Sequence, residues 1–258
     1  MWTRGCAALA LATSLLGSGA ATAGGMALPD HMTLHYLLHY GDVVVAKSVQ
    51  TLRRNPSGAY YHSAWTRPAG IAKVFTQVQF LEQGEFRIQG TEVLPVRFSD
   101  SRIGDSRHYK RQVVFDYEHQ QLRFSGHPVK PLSRGTQDLD SIFYAFMLRP
   151  ATPGMHREVL ITNGKDVDRY WFVYRRSQVL TTALGRVSTY LISRLSHSEW
   201  IEEQHCGKAG SQACLRPLRV FEIWVAPKLR DVVVKARERK HGHTLTLSLE
   251  RLTQGVHE

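Results

Sequence analysis

The sequence has no uninterrupted apolar run of 18 residues after its N-terminal stretch, so no such segment is long enough to cross a bilayer as a helix. It holds only three cysteines in 258 residues. That count excludes a disulfide-dense scaffold and a multi-cysteine metal framework. No Gly-x-Ser-x-Gly elbow, His-Glu-x-x-His helix, phosphate-cradling Gly-Lys-Ser/Thr loop or dinucleotide fingerprint occurs. Local motifs therefore name no reaction, although a catalytic set assembled from distant positions would leave no such trace. Nor does a Pro- or Ser-rich linker or a repeat of roughly 20 to 50 residues divide the chain.

The N-terminus carries a strong signal. Arg4 precedes an apolar stretch from Cys6 to Leu16, and small residues follow, ending at Ala21, Thr22 and Ala23 before Gly24. This pattern reads as a secretory signal peptide over 1–23 with an Ala-x-Ala cleavage site. The apolar run is about half the roughly 20 residues that a spanning helix needs. Cleavage would leave one domain over 24–258, exported to the bacterial periplasm, with no transmembrane segment. It would also leave two cysteines, Cys206 and Cys214, which in an oxidising compartment read as a disulfide closing a short loop. Zinc at this pair would need two more ligands, and only His205 is adjacent.

The chain has 33 basic and 22 acidic residues, a net charge of +11, and losing Arg4 with the leader makes it +10. A positive field in the envelope favours anionic lipid, glycolipid or an acidic envelope protein as partner. Nucleic acid is not expected, because the basic residues are dispersed and the protein is read as exported.

The dominant hydrophobic period after Met26 is two. Leu34, Tyr36, Leu38 and Tyr40 share one strand face, and Gly41 and Asp42 turn the chain into a second strand where Val43, Val45 and Val49 align. Further strands are expected at Lys73–Leu81, Phe86–Gln89, Val93–Phe98, Tyr109–Tyr117 and Leu122–Phe124. Beyond the midpoint they are expected at Arg157–Thr162, Val167–Tyr174, Val179–Thr182, Val187–Leu195, Arg219–Val225, Val232–Glu238 and Thr244–Leu252. One segment breaks the rhythm: Leu139, Ile142, Phe143, Phe146 and Met147 recur at helical spacing, with Thr136 as N-cap and Asp138 and Asp140 in the first turn. The expected fold is mainly β, a single curled antiparallel sheet or β-barrel-like domain with one short helix at about 136–148. An outer-membrane barrel does not fit, because many strands are short and charges fall on both faces, as at Lys110 and Arg111.

Several segments, in order, carry a resemblance: GTQDLDSIFYAFM from Gly135 to Met147, LTTALGRV from Leu180 to Val187, and EIWVAP from Glu222 to Pro227, with the Tyr109–Asp116 strand before them. Over roughly Thr33 to Leu252 the sequence resembles the exported bacterial proteins grouped as domain of unknown function 3108. The resemblance implies an envelope protein of β-rich fold with no established activity. The Cys206–Cys214 segment reads as an insertion relative to it, and Val233 stands where the family often has proline.

Candidate chemistry is sparse. His31, His35 and His39 would make a metal face on a helix, but on a strand four residues span about 13 Å, too far for one ion. His241 and His243 lack a third ligand nearby. No metal and no cofactor is expected. Asp138, Asp140 and Ser141 invite a catalytic reading that would need a histidine beside them, whereas helix-start acids ordinarily complement the helix dipole. The aromatic residues Tyr36, Tyr40, Phe115, Tyr117, Tyr170, Phe172, Tyr174 and Trp224 lie on expected strands and would line one concave face if the sheet curled without filling itself. The resulting expectation is a non-enzymatic carrier for an amphipathic anionic ligand: a lipid, acyl group or glycolipid. The alternative is a structural or protein-interaction module of the envelope, and a hydrolase of envelope polymers stands third.

Overall fold

The structure, a computed structural model, describes residues 27–209, 219–240 and 242–255. The expected leader, Cys214 and His241 lie outside the described residues. In chain order the elements are β1 (His31–Tyr40), β2 (Val43–Arg54), β3 (Tyr60–Pro68), α1 (Ala72–Phe75), β4 (Gln79–Gln89), β5 (Glu92–Ile103), β6 (Tyr109–Asp116), β7 (Gln121–Phe124), β8 (Lys130–Pro131) and β9 (Gln137–Asp138). They continue with α2 (Ser141–Leu148), β10 (His156–Thr162), β11 (Val167–Thr182), β12 (Gly185–Ser196), α3 (His197–Ala209), β13 (Arg219–Ala226), β14 (Val232–Lys240) and β15 (His243–Gly255).

All these strands belong to one sheet, in the order β8-β7-β6-β5-β4-β3-β2-β1-β15-β14-β13-β12-β11-β10-β9. Every pairing is antiparallel except β9 with β10. The first and last long strands therefore lie side by side at the centre, with Leu34 opposite Leu252. Right-handed twist accumulated over so many strands curls the sheet. The curl brings β9 against β5, where Gln137 Nε2 donates to the carbonyl of Val93 at 3.0 Å. Lys130 pairs with Asp166, and Arg134 with Glu92, across the same seam. Gly164, at φ +80°, lets the β10–β11 turn approach β6; a Cβ there would stand 3.2 Å from the Cβ of Arg111. The roll is thus held shut by side chains and a close backbone approach instead of by a continuous ladder.

Helix α2 fills the roll. Ser141, Ile142, Tyr144, Phe146, Met147 and Leu148 are all buried, as expected of a helix apolar on every side. Tyr144 and Met147 join a core with Met32, Leu52, Phe86 and Trp224. Ile142 and Phe146 join a second with Phe172, Ile192 and Ile223. A third core, of Phe98, Val113, Phe115, Leu122 and Phe124, lies under β5–β7 and is covered by Leu132, Leu139 and Val167.

The sheet, its curl and α2 agree with the sequence, but the separate strands expected at Val167–Tyr174 and Val179–Thr182 are one continuous strand, β11, and four further local expectations also differ. Residues 73–75 of the expected Lys73–Leu81 strand form α1, and β4 begins only at Gln79. Strand β3 was unexpected, because YYHSAWTRP places His62 among its inward residues. A second substantial helix, α3, exists although its sequence has no apolar stripe. It lies on the outer face of the sheet, where Trp200 stacks on Trp171 at 4.5 Å and Arg175 forms a two-pronged ion pair with Glu203 at 2.7 Å. Finally, α2 starts at Ser141 instead of Thr136, because Gln137 and Asp138 are drawn into the parallel bridge with Ile161 and Thr162.

Candidate functional site

Directly paired residues on neighbouring strands share a face, so the register places two adjoining interior rows. One row reads Met32, Leu52, His62, Gly84, Phe98, Val113, Phe124. The other reads Leu34, Gln50, Ala64, Glu82, Asp100, Arg111. A histidine and two acids are thereby directed inward. The loop leading into α2 brings Asp138 and Asp140 to meet them.

Asp138 and Ser141 are committed to the backbone. The Asp138 carboxylate accepts the amides of Asp140 at 3.0 Å and Ser141 at 2.8 Å, and Ser141 Oγ accepts the Asp138 amide at 2.9 Å. These bonds shape the turn that leads into α2, whose N-cap residue Asp140 makes no side-chain cap bond, and they engage Ser141 Oγ as an acceptor. Asp140 differs. Its Oδ2 lies 3.6 Å from Nδ1 of His62, beyond hydrogen-bonding distance. Asp140 Oδ2 and both His62 ring nitrogens have no hydrogen-bond partner.

Burial dominates the electrostatics. It pushes His62 down to about 3 and Asp138 up to about 6, the latter against the two amides that its carboxylate accepts. Glu82 is raised to about 7, first by desolvation and then by the negative charges of Asp100 and Asp138. Asp140 is raised well above the ordinary carboxylate range by burial, and then by Glu82, Asp138 and Asp100. Asp100 is raised less; the Tyr109 hydroxyl, 3.1 Å away, and Arg111 counter its desolvation. In a low-dielectric interior such groups discharge. Near neutral pH His62 is therefore neutral and Asp140 favours its protonated form, while Glu82 is close to its midpoint and Asp138 remains mostly ionised. The cavity beside His62 and Asp140 measures about 50 Å³, room for a water molecule or two and not for a polymer segment.

A larger concavity lies at the end of the roll where β2 meets β3 and β4 meets β5. It has a volume of about 730 Å³. Leu28, Tyr60, Ile88 and Leu148 supply an apolar floor, and Arg54, Arg230 and Asp30 stand around it. Arg54 pairs with Asp30 at 3.3 Å. Arg230 is exposed and donates to the Ala27 carbonyl at 3.5 Å. Arg230 and its successor Asp231 both occupy the left-handed region, at φ +57° and +58°, a costly conformation for residues other than glycine. Asp231 is held there by the hydroxyl of Tyr190, 2.6 Å from its carboxylate.

The groove and the buried cluster are joined by rings. Tyr60 stacks on Phe86 at 5.4 Å, Phe86 on Tyr144 at 5.0 Å, and Tyr144 meets His62 edge-on at 5.4 Å. Tyr60, Arg54, Arg230 and His62 were not singled out from the sequence. The unexpected strand β3 supplies two of them, and Arg230 sits in a turn between strands.

The eight aromatic residues expected to line one concave face do not meet in one groove. Tyr36 and Trp224 belong to the first core, and the Tyr36 hydroxyl donates to the Val233 carbonyl at 2.8 Å. Phe172, Tyr170 and Tyr174 belong to or pack on the second, and Phe115 belongs to the third. Tyr40 is exposed and stacks on His243, while Tyr117 is exposed and donates to the Pro95 carbonyl. The reason is α2: its side chains occupy the space that a curled sheet would otherwise leave open. His35 and His39 face Arg251 and Ser248. Cys206 lies on α3, but its expected partner Cys214 is outside the described residues.

An antiparallel sheet rolled around one buried helix, with a groove at its rim, defines a β-barrel-like protein. The chain belongs to the family of proteins of unknown function DUF3108, which matches residues 35–249. A beta-barrel-like protein of domain of unknown function DUF1849 from Brucella abortus has a similar fold, with TM-score 0.54 and 10% identity over 88% of this chain and 98% of that one. A protein with a YmcC-like fold from Bacteroides fragilis is more distant, with TM-score 0.33 and 9% identity over 88% of this chain and 97% of that one. Searched against curated proteins, the sequence matches none. Among the described residues, no helix is long and apolar enough to cross a membrane.

Proposed function

We propose that this protein is an exported, non-enzymatic binding or carrier module of the bacterial periplasm, and that its end groove takes an amphipathic anionic ligand such as a lipid, acyl group or glycolipid. One observation carries the reading. The groove of about 730 Å³ combines an apolar floor of Leu28, Ile88 and Leu148 with Arg230 and the Arg54–Asp30 pair at its edge, a net positive rim. That volume lies in the range of small-molecule sites, and an apolar bed with a few cationic groups suits an alkyl chain with an acidic head. The net charge of +11 raises the local concentration of such ligands. The strained conformation of Arg230 supports a functional role for its side chain. Export rests on the N-terminal sequence.

The histidine that the hydrolase reading needs is present, since His62 lies 3.6 Å from Asp140, but Ser141 Oγ is engaged by the Asp138 amide and the cavity beside His62 is too small for a polymer segment, so the carrier reading is preferred. The test is a titration of the mature protein with a fluorescent long-chain fatty acid and with the matching alcohol. Saturable binding of the acid, weakened at least fivefold by Arg230→Glu while the alcohol is unaffected, is the expected result. Binding of neither probe, or equal binding by wild type and variant, would contradict the proposal.

A further inference from the structure

At the opposite end of β2–β5, the connection between β3 and β4 carries an exposed apolar tip. Ile71, Val74 and Phe75 are 62%, 79% and 78% exposed, the three largest values among the large hydrophobic side chains described. They sit on and just before α1, which buries none of its residues. Isolated exposed apolar residues are ordinary; three on one short turn, pointing away from every core, form a patch.

The tip is held rigidly. The amide of Ala69 donates to the Val45 carbonyl at 2.9 Å. Gly104, at φ +97°, lets the β5–β6 turn press on the other side, where a Cβ would fall 2.3 Å from the Gln77 carbonyl oxygen.

Cations ring the tip. Arg67 lies over the exposed ring of Trp65 at 4.3 Å, and Arg102 over Phe80 at 5.5 Å. Lys73 stands on α1 itself, and Arg107 is 81% exposed. The adjoining groove contains one acid, Asp105, which is paired with Arg102 at 2.6 Å and with Arg107 at 3.6 Å, leaving the ring net positive. An apolar wedge surrounded by basic and aromatic side chains is the arrangement by which a protein seats in the headgroup layer of a bilayer: the apolar residues enter the acyl boundary while arginine and lysine meet phosphates.

We infer that residues 69–78 form a docking tip for an anionic phospholipid surface. The charge of the ring favours this occupant over an apolar peptide or a second copy of this strongly basic chain. The tip lies at the other end of the strands from the ligand groove, so the inference does not depend on what that groove holds.

The experiment is co-sedimentation of the mature protein with vesicles of phosphatidylcholine alone or containing one-quarter phosphatidylglycerol, at low and high salt. Wild type should partition onto the anionic vesicles at least tenfold better than onto the neutral ones, with much of the gain lost at high salt. The double variant V74S/F75S and the pair K73E/R107E should each lose at least tenfold. Circular dichroism should show both variants folded, because all four side chains are exposed. Arg87→Glu, a charge reversal of the same size per residue on an exposed residue of β4 outside both the tip and the groove, should sediment within about twofold of wild type, which separates the tip from net charge. Equal partitioning by wild type and the tip variants, or no partitioning of wild type, would overturn the inference. So would a wild-type dimer abolished by V74S/F75S, which would assign the tip to a second copy.

Discussion

His62 and Asp140 face each other across 3.6 Å inside the roll, one directed inward from β3 and the other standing at the entry to α2, without a direct hydrogen bond between them. A buried polar group without a partner costs about 1–3 kcal/mol. Burial keeps the histidine neutral and favours the protonated carboxyl. The pair is a low-charge contact, and the pH dependence of stability follows from it and from Glu82.

Glu82 is raised from 4.5 to about 7 in the fold. A group that holds its proton more tightly when folded contributes stability below its unfolded pKa, and that contribution fades as pH rises through the folded value. Glu82→Gln should therefore leave stability at pH 4.5 nearly unchanged and raise it by roughly 1–3 kcal/mol at pH 8. Urea unfolding at the two pH values checks this.

His62 has the opposite sign. Its pKa falls from 6.5 to about 3, so the unfolded chain takes up a proton that the fold resists, and stability is lost as pH drops from 6.5 toward 3. His62→Gln should flatten that acid-side loss while leaving the slope between pH 7 and 8 unchanged. Melting temperatures over pH 4–8, compared with those of Glu82→Gln, separate the two contributions.

Gly104→Ala should destabilise the protein by about 1–3 kcal/mol, because the position combines a positive φ with an approach that leaves no room for a methyl group. Gly41, which has a positive φ but nothing within 4 Å, should lose less on the same substitution. Denaturant midpoints of the two variants give the comparison.

Arg230→Gly should raise stability by about 1 kcal/mol by relieving the left-handed strain. The same change should weaken binding of the fatty-acid probe. A variant that gains stability and loses affinity would mark Arg230 as a residue kept for its side chain.

The alternation that reveals the sheet in the sequence works where one face is uniformly apolar. Leu34 and Tyr36, or Val113 and Phe115, point inward as their pattern indicates. Strand β2 shows the limit: Val43, Val45 and Val49, aligned by period two in the sequence, do not share a face because the ladder with β1 slips at Val45, while Ala46, Ser48 and Leu52 are buried. Its buried Ser48 is satisfied by the Thr66 hydroxyl of β3 at 3.0 Å, a partner that local alternation does not encode. The same chemistry hid β3, whose buried His62 interrupts the apolar count. Helix α3 has only Trp200 and Ile201 as large apolar residues and is docked by Trp171 from β11, a distant partner that no local period encodes. Asp138, Asp140 and Ser141 were legible as a group, but which histidine approaches them depends on how β3 registers against β4.

Native mass spectrometry of the mature protein, released from the envelope without detergent, tests the central claim most directly. A reproducible adduct of lipid mass that is lost in a variant combining Ile88→Glu with Arg230→Glu, while the variant remains folded, is the predicted result. A wild-type spectrum that shows only the bare polypeptide in every preparation, and that fails to shift when anionic lipid is added back, would contradict it.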